Sequence, residues 1–175
     1  MREDEAQWLE ERLLAANRRY LRGRPAIPED PAPSLRIAVL TCMDVRIDPL
    51  PLLGLQLGEA HVLRNAGARV TEDVLRSLVI SQQALGTNAV VLMPHTRCGV
   101  LGLDAAALQP PRSASFGTPE PLDFHAMEDL RAALSEDLEK LRESPWMPQD
   151  VHLLGLILDI DSGALAALRK PAREN

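Results

Sequence analysis

Apolar positions follow two different spacings along the chain, and each change of spacing marks a change of structural element. Over residues 3–21 they recur every three or four residues, which predicts an amphipathic helix with one apolar stripe. Acidic residues open this helix and Arg18 and Arg19 close it, as the helix dipole favours. Residues 25–33 hold four prolines and predict an extended linker. Residues 1–34 therefore form an arm whose stripe must pack on its own domain or on a second subunit.

Beyond the arm, short apolar runs predict strands and longer amphipathic segments predict helices. Thr71 is expected to cap a helix that stops at Gly86, and Asp123 to cap a second helix that runs to Leu141. Residues 164–168 are expected to return as an antiparallel edge strand or a short helix. The four runs that predict strands are residues 36–41, 61–64, 89–93 and 151–160.

Strands that alternate with helices predict an α/β fold, with a mostly parallel central sheet flanked by helices. We expect four parallel strands in the order 2-1-3-4, with the antiparallel edge strand beside them, and the arm helix outside the sheet. Residues 35–175 are expected to form a single domain. Within it, residues 109–122 hold four prolines and predict a long irregular loop.

Composition and charge narrow the classes of partner. The net charge is −6 and the basic residues are scattered, so the chain lacks the electrostatic footprint of a nucleic-acid-binding protein. Two Trp, one Tyr and two Phe are too few for a base-stacking platform. No apolar run approaches the roughly 20 residues that span a bilayer, and the acidic N-terminus does not resemble a signal peptide. We expect a cytoplasmic protein with no nucleic-acid or membrane partner.

Candidate chemistry lies at the carboxyl ends of two predicted strands. Cys42 follows the first strand, and His95 and Cys98 follow the third. If these strands are neighbours, the three side chains converge at the switch point where parallel sheets bind ligands. Two thiolates and one imidazole are a common zinc ligand set, and three protein ligands with one open position are the catalytic pattern. A redox pair of the two cysteines is less favoured, because the chain has no Cys-x-x-Cys motif.

Three segments together resemble the signature blocks of the β-class carbonic anhydrases, in order and at compatible spacing. They are Thr41-Cys-Met-Asp-Val-Arg46, Val62-Leu-Arg-Asn-Ala-Gly67 and His95-Thr-Arg-Cys-Gly99. Weaker matches lie at Ser77-Leu78, Leu85-Gly86 and 158–165. The resemblance covers roughly residues 35–103 and 151–165, and the chain length is similar to that of compact bacterial-type members.

The resemblance implies a zinc lyase whose metal, one Zn²⁺ per subunit, is held by Cys42, His95 and Cys98. It makes Asp44 and Arg46 a dyad that orients a zinc-bound hydroxide for the reversible hydration of carbon dioxide to bicarbonate. Asp44 can instead rest on zinc as a fourth ligand, and the sequence leaves these two states open. The family forms homodimers or larger homo-oligomers in which the N-terminal helix embraces the partner, so we expect the arm to pack on a second subunit.

Two other functions remain open at this stage. The same site can hydrolyse carbon disulfide or carbonyl sulfide, because these are also small linear molecules open to attack by zinc hydroxide. Alternatively, the chain is a zinc-binding structural or regulatory protein without turnover. The presence of both Asp44 and Arg46 argues against that reading, since a purely structural site has no use for the dyad.

Several residues near the motifs have weaker or ambiguous signals. Gly99 either presents its backbone N–H to the anionic substrate or merely allows a close turn. Residues 65–67 are expected to form a tight turn beside the site. Arg97 and Pro94 depart from the residues usual in the family, and Arg97 either acts as a further cation near the zinc or points to solvent. Residues expected to play no part in metal binding are His61, His125 and His152, and the expected capping or solvated residues are Asp48 and Asp104.

Overall fold

The central strands of the sheet form where apolar residues occupy both faces of the chain. The computed structural model describes residues 3–108 and 122–169. Its strands are β1 (Ile37–Cys42), β2 (Ala60–Asn65), β3 (Ala89–Met93), β4 (His152–Leu158) and β5 (Leu165–Ala167). The sheet order is β2-β1-β3-β4-β5, with the first four strands parallel and β5 antiparallel to β4. The α/β fold with a mostly parallel sheet, predicted from the alternation of elements, is confirmed.

In the described ranges, four α-helices accompany the strands: α1 (Glu3–Leu21), α2 (Pro49–Leu52), α3 (Glu72–Gln83) and α4 (Leu130–Glu143). Short 3-10 helices lie at Ala66–Ala68 and Ala105–Ala107. The Thr71 side chain caps α3 by accepting a hydrogen bond from the backbone N–H of Val74, as predicted. Asp104 likewise accepts from Ala106 at the start of its 3-10 helix, whereas Asp48 makes no side-chain cap.

The predicted cap of the second long helix is wrong. α4 begins at Leu130 and is capped by Asp129, whose Oδ1 accepts from the backbone N–H of Ala132 at 2.7 Å. The Asp123 side chain instead accepts from the N–H of His125. The apolar residue expected in the first turn, Met127, is buried beside the sheet and forms a β-bridge with Leu101. Tertiary packing therefore keeps this segment out of the helix for six residues beyond Asp123.

The bounds of β1, β2 and β4 differ by one or two residues from the sequence prediction. Arg36 has a φ of +56°, which a strand does not allow, so β1 begins at Ile37 and extends to Cys42. Residues 109–121 of the predicted Pro-rich loop lie outside the described residues.

Two apolar clusters divide the core, and one of them surrounds the carboxyl ends of the strands. The larger cluster joins the sheet to α3 and α4 through residues such as Leu40, Leu78 and Leu138. The second cluster includes Cys42, Cys98 and other buried residues: Ile47, Met93, Val100, Met127, Ala133 and Leu158. The candidate metal ligands thus sit within a packed apolar shell.

The arm differs from the rest of the chain in its exposure. Leu13 and Tyr20 on α1 are 59% and 51% exposed, so the apolar stripe is not buried within the described part of the chain. The end of the linker does pack on the sheet, because the Pro31 carbonyl lies 3.1 Å from His61 Nε2 and the N–H of Ser34 donates to Gly58. Across the described ranges, none of the helices combines the length and hydrophobicity that a membrane span requires.

Candidate metal centre

The sheet order explains why two distant segments meet. β1 and β3 are hydrogen-bonded neighbours, with Thr41 opposite Met93 at their carboxyl ends. The Thr41 hydroxyl also donates to the Met93 carbonyl at 2.8 Å. Cys42 ends β1, and the loop after β3 carries His95 and Cys98. The convergence predicted at the switch point is therefore found.

The three side chains present their donor atoms to one small volume. One ligand atom from each of Cys42, His95 and Cys98 lies within 4.8 Å of the others. All three residues are buried, with exposed fractions of 3%, 0% and 5%. Both thiols are free, and their sulfurs lie 3.8 Å apart, too far for a disulfide. The buried His95 Nε2 has no hydrogen-bond partner among the described residues.

This arrangement fits zinc. Two sulfurs each about 2.3 Å from a tetrahedral zinc ion lie roughly 3.8 Å apart, and the sulfurs of Cys42 and Cys98 have that separation. Because an unpaired buried nitrogen is costly, a cation beside His95 Nε2 would remove the penalty. Two thiolates and an imidazole are also a donor set that zinc prefers.

The loop after β3 holds His95 in one orientation. Its Nδ1 lies 2.8 Å from the carbonyl oxygen of Thr96 and, as a donor to it, leaves the Nε2 lone pair facing the cysteines. Thr96 is itself bound to the end of β4, since its N–H donates to Leu158 and its hydroxyl accepts from the N–H of Ile160. The imidazole is therefore positioned before any metal binds.

Asp44 and Arg46 form an ion pair beside the cluster. The Asp44 carboxylate accepts from Arg46 Nη2 at 2.7 Å, from its Nε at 2.9 Å and from its backbone N–H at 3.0 Å. These hydrogen bonds hold the pKa of the Asp44 carboxyl well below its usual range. The Asp44 Oδ2 atom lies 3.8 Å from His95 Nε2. An ionised carboxylate is thus fixed at the edge of the candidate site.

The pKa values of Arg46 and Cys98 are both raised. Hydrogen bonding to Asp44 raises the pKa of Arg46, and the charges of Asp161 and Cys42 add to this effect. The pKa of the Cys98 thiol is raised, chiefly because burial disfavours the thiolate. Without a cation, Cys98 therefore favours the protonated state, and metal binding has to displace that proton.

Three side chains with no predicted site role hold the surrounding loops. Arg64 donates through Nε to the Cys42 carbonyl at 2.9 Å and through Nη2 to the Asp44 carbonyl at 2.7 Å, which shapes the turn after β1. Thr96 fixes the second loop, and Asp161 pairs with Arg97. Arg64 belongs to a signature block, but its contacts depend on the parallel register of β1 and β2, which the sequence does not specify.

Comparisons with known proteins decide the family. A family model described as carbonic anhydrase matches residues 37–118. β-carbonic anhydrase 1 of Mycobacterium tuberculosis is 38% identical over 162 residues, covering 87% of this chain and 93% of that protein. The crystal structure of a carbonic anhydrase from Streptococcus mutans superposes with a TM-score of 0.77 at 37% identity, covering 91% of this chain and 96% of that one.

The chain belongs to the β-carbonic anhydrase family. The resemblance read from the signature blocks and the expectation of an enzyme of the carbonic anhydrase class are thereby confirmed. A carbon disulfide hydrolase of an Acidianus strain is also similar, at 31% identity over 78% of this chain and 77% of that protein. The family therefore includes relatives whose names specify different substrates.

The other three histidines and Gly99 supply no donor atom to the cluster of Cys42, His95 and Cys98. The ring nitrogens of His61 lie within hydrogen-bonding distance of Ser81 and Pro31, and His125 pairs with Asp123, so neither joins the cluster. His152 is exposed at the amino end of β4. Gly99 is exposed beside Cys98, and a Cβ added to it would meet nothing within 4 Å, so steric need does not explain the glycine.

The turn expected at residues 65–67 is present, and two hydrogen bonds between the Asn65 side chain and the Arg69 backbone close it. Asn65 Oδ1 accepts from the N–H of Arg69, and its Nδ2 donates to the carbonyl of the same residue. Gly67 has a φ of +78°, and a Cβ there would lie 3.3 Å from the terminal methyl of Met127. The turn thus supports the apolar shell around the cysteines.

Proposed function

We propose that this chain catalyses the zinc-dependent, reversible hydration of carbon dioxide to bicarbonate and a proton. The observation that carries the proposal is the buried cluster of Cys42, His95 and Cys98, in which the two sulfurs are spaced for tetrahedral zinc and His95 Nε2 is unpaired. The family supplies the reaction class, and the cluster supplies the chemistry that this class needs.

In this proposal each side chain has a separate task. Cys42, His95 and Cys98 hold Zn²⁺ and leave a fourth position open to small molecules. Zinc bound there acts as a Lewis acid that activates water for attack on carbon dioxide. Asp44 accepts a hydrogen bond from the attacking water and orients its lone pair, while Arg46 keeps the carboxylate ionised and in place. Gly99 is proposed to offer its N–H to the bicarbonate anion.

The donor set also predicts the pH dependence. Thiolates from Cys42 and Cys98 together offset the charge of the dication, so we expect weaker acidification of water than three neutral imidazoles would give. The rate should therefore rise from neutral towards moderately alkaline pH. A rate that fell over this range in folded, zinc-loaded protein would contradict the assignment of the nucleophile.

Metal analysis combined with stopped-flow hydration of carbon dioxide tests the proposal. His95→Asn should lose both zinc and activity, because it removes one of three ligands. The matched control is His152→Asn, at an exposed histidine on the amino end of β4, which should keep both. Circular dichroism checks the fold of each variant. One equivalent of zinc in wild-type protein with no hydration at any pH would refute the function.

Carbon disulfide hydrolysis is the second candidate, because a relative at 31% identity carries that name. The two reactions share the zinc ligands and differ in which linear molecule reaches the site. Parallel assays of carbon dioxide, carbonyl sulfide and carbon disulfide with the same zinc-loaded preparation separate them. Faster turnover of carbon disulfide than of carbon dioxide would favour the second function.

We further propose that residues 1–34 pack on a second copy of the chain and that the enzyme works as a cytoplasmic homodimer or larger homo-oligomer. The support is the apolar stripe of α1, in which Leu13 and Tyr20 are each more than half exposed. Burying such side chains is favourable by about 25 cal/mol per Å² of apolar surface. A second subunit offers a surface that the described part of this chain does not.

A further inference from the structure

Arg97 occupies an unusual position between two of the candidate ligands. It has a φ of +53°, a left-handed conformation that is uncommon for residues other than glycine. In this conformation its carbonyl oxygen accepts from Arg46 Nη2 at 3.3 Å. Its own guanidinium is 63% exposed and pairs with Asp161 through Nη1 at 2.5 Å. The backbone and the side chain of Arg97 therefore contact different partners.

Asp161 lies in a turn that is fixed against the same loop. The Asp159 carboxylate accepts from the N–H and the hydroxyl of Ser162, which closes the turn between β4 and β5. The N–H of Ile160 donates to the Thr96 hydroxyl at 3.0 Å, which joins this turn to the loop that carries Arg97. Because the Arg97 carbonyl contacts Arg46 and the Arg97 side chain contacts Asp161, a single residue links this carboxylate to the Arg46 guanidinium. The charge of Asp161 correspondingly raises the pKa of Arg46.

Arg46 therefore has two carboxylates within electrostatic reach. Asp44 holds it by two side-chain hydrogen bonds, but the Arg46 side chain is 42% exposed and its Asp44 partner 16% exposed. Exposed ion pairs are weak, since water competes for both charges. A second, unpaired carboxylate nearby would compete with Asp44 for the same guanidinium.

We propose that Arg97 is a positioning residue that neutralises Asp161 and so prevents this carboxylate from drawing Arg46 away from Asp44. The pair of Arg97 and Asp161 is itself exposed, at 63% and 60%, so its contribution is to the geometry of the dyad and not to stability. The consequence for turnover rests on the proposed function, because only an ordered Asp44 orients the attacking water.

Three variants and one conservative control test the inference. Arg97→Asn removes the charge while allowing the left-handed backbone, which asparagine tolerates better than most residues. Asp161→Asn removes the competing carboxylate, and the third variant combines the two changes. Arg97→Lys keeps the positive charge. Zinc-loaded proteins are compared by stopped-flow hydration at low ionic strength and by the NMR signal of Arg46 Nε–H, assigned by its loss in Arg46→Lys.

If Asp161 competes with Asp44 for Arg46, removing Asp161 should rescue the loss of activity caused by Arg97→Asn. Arg97→Asn should lower kcat/KM about two- to five-fold, the range that one exposed ion pair can supply, and should shift the Arg46 Nε–H signal. Asp161→Asn and Arg97→Lys should stay near wild type, and the double variant should regain both the rate and the signal. Added salt should reduce the deficit of Arg97→Asn, because it screens the attraction to Asp161.

Two results would overturn the inference. If Asp161→Asn and the double variant are as impaired as Arg97→Asn, the pair only anchors the loop. If Arg97→Asn leaves the Arg46 signal unchanged, no competition exists. The NMR signal also separates this inference from the proposed function, since a wild-type protein without hydration activity still reports whether Arg46 leaves Asp44.

Discussion

Replacing Asp44 by asparagine should remove most turnover while leaving the metal in place. Asparagine keeps one acceptor oxygen for the backbone N–H and Nε of Arg46, which lie 3.0 and 2.9 Å from Asp44 Oδ1. The other oxygen becomes an amide nitrogen, and it faces Arg46 Nη2, 2.7 Å from Oδ2 in the wild type. Two donors cannot hydrogen-bond to each other, so the pair has to rearrange.

The atom that changes is also the one nearest the metal ligands, because Asp44 Oδ2 lies 3.8 Å from His95 Nε2. Removing one preorganised group at a reacting centre costs about 10²- to 10³-fold in kcat. We expect a loss of that size for Asp44→Asn, with the zinc content of the wild type. Stability should change little, since the ion pair with Arg46 is partly exposed.

Stopped-flow hydration with metal analysis of the same samples measures both quantities. Asp73→Asn is a matched control, since Asp73 also pairs with an arginine, Arg76, but on the exposed surface of α3. The control should retain wild-type kcat. Zinc-loaded Asp44→Asn with full activity would remove Asp44 from the mechanism, and loss of zinc would show instead that the carboxylate is needed for metal binding.

Three further predictions concern stability and assembly. Asp137→Asn should lower the free energy of unfolding by about 3 kcal/mol in urea titrations, because it breaks a buried ion pair with Arg69. A loss below about 0.5 kcal/mol would contradict that reasoning. Hydrogen bonds from Ser162 lower the pKa of Asp159 in the folded protein. The ionised carboxylate therefore stabilises the fold fully above its unfolded pKa, and this stabilisation is lost as the pH falls through the lower folded pKa. The urea midpoint of Asp159→Asn should consequently depend less on pH below about 4 than that of the wild type. Combining Leu13→Glu with Tyr20→Glu should shift the mass measured by light scattering towards the monomer, and an unchanged mass would separate α1 from the subunit interface.

The strands and the cap of α3 could be predicted from the sequence, because each depends on a local pattern of residues. The run that became β3 is apolar throughout, and parallel strands buried on both faces require such runs. The α3 cap was also readable, since threonine before an amphipathic segment makes a local hydrogen bond. The metal cluster followed from the same logic, because its ligands lie at the ends of two predicted strands.

Features that depend on tertiary contacts could not be read in this way. Asp123 has the sequence features of a helix cap, yet the burial of Met127 against the sheet delays α4 to Leu130. The pairing of Arg97 with Asp161 joins residues 64 positions apart and depends on the order of β3 and β4. Pattern reasoning considers neighbours along the chain, whereas these contacts are set by neighbours across the sheet.

The position of the ligands on the sheet couples metal binding to the fold. Cys42 belongs to β1 itself, so its sulfur is fixed by the strand pairing, whereas His95 and Cys98 lie on a loop held by Thr96 and the end of β4. A cation bound to all three therefore links β1, β3 and β4 at one edge. Because burial raises the pKa of Cys98, this thiol favours the neutral form, which makes no such link. The scaffold thus fixes the positions of the imidazole and of the Cys42 sulfur, whereas the Cys98 thiol has to lose its proton when it binds a metal.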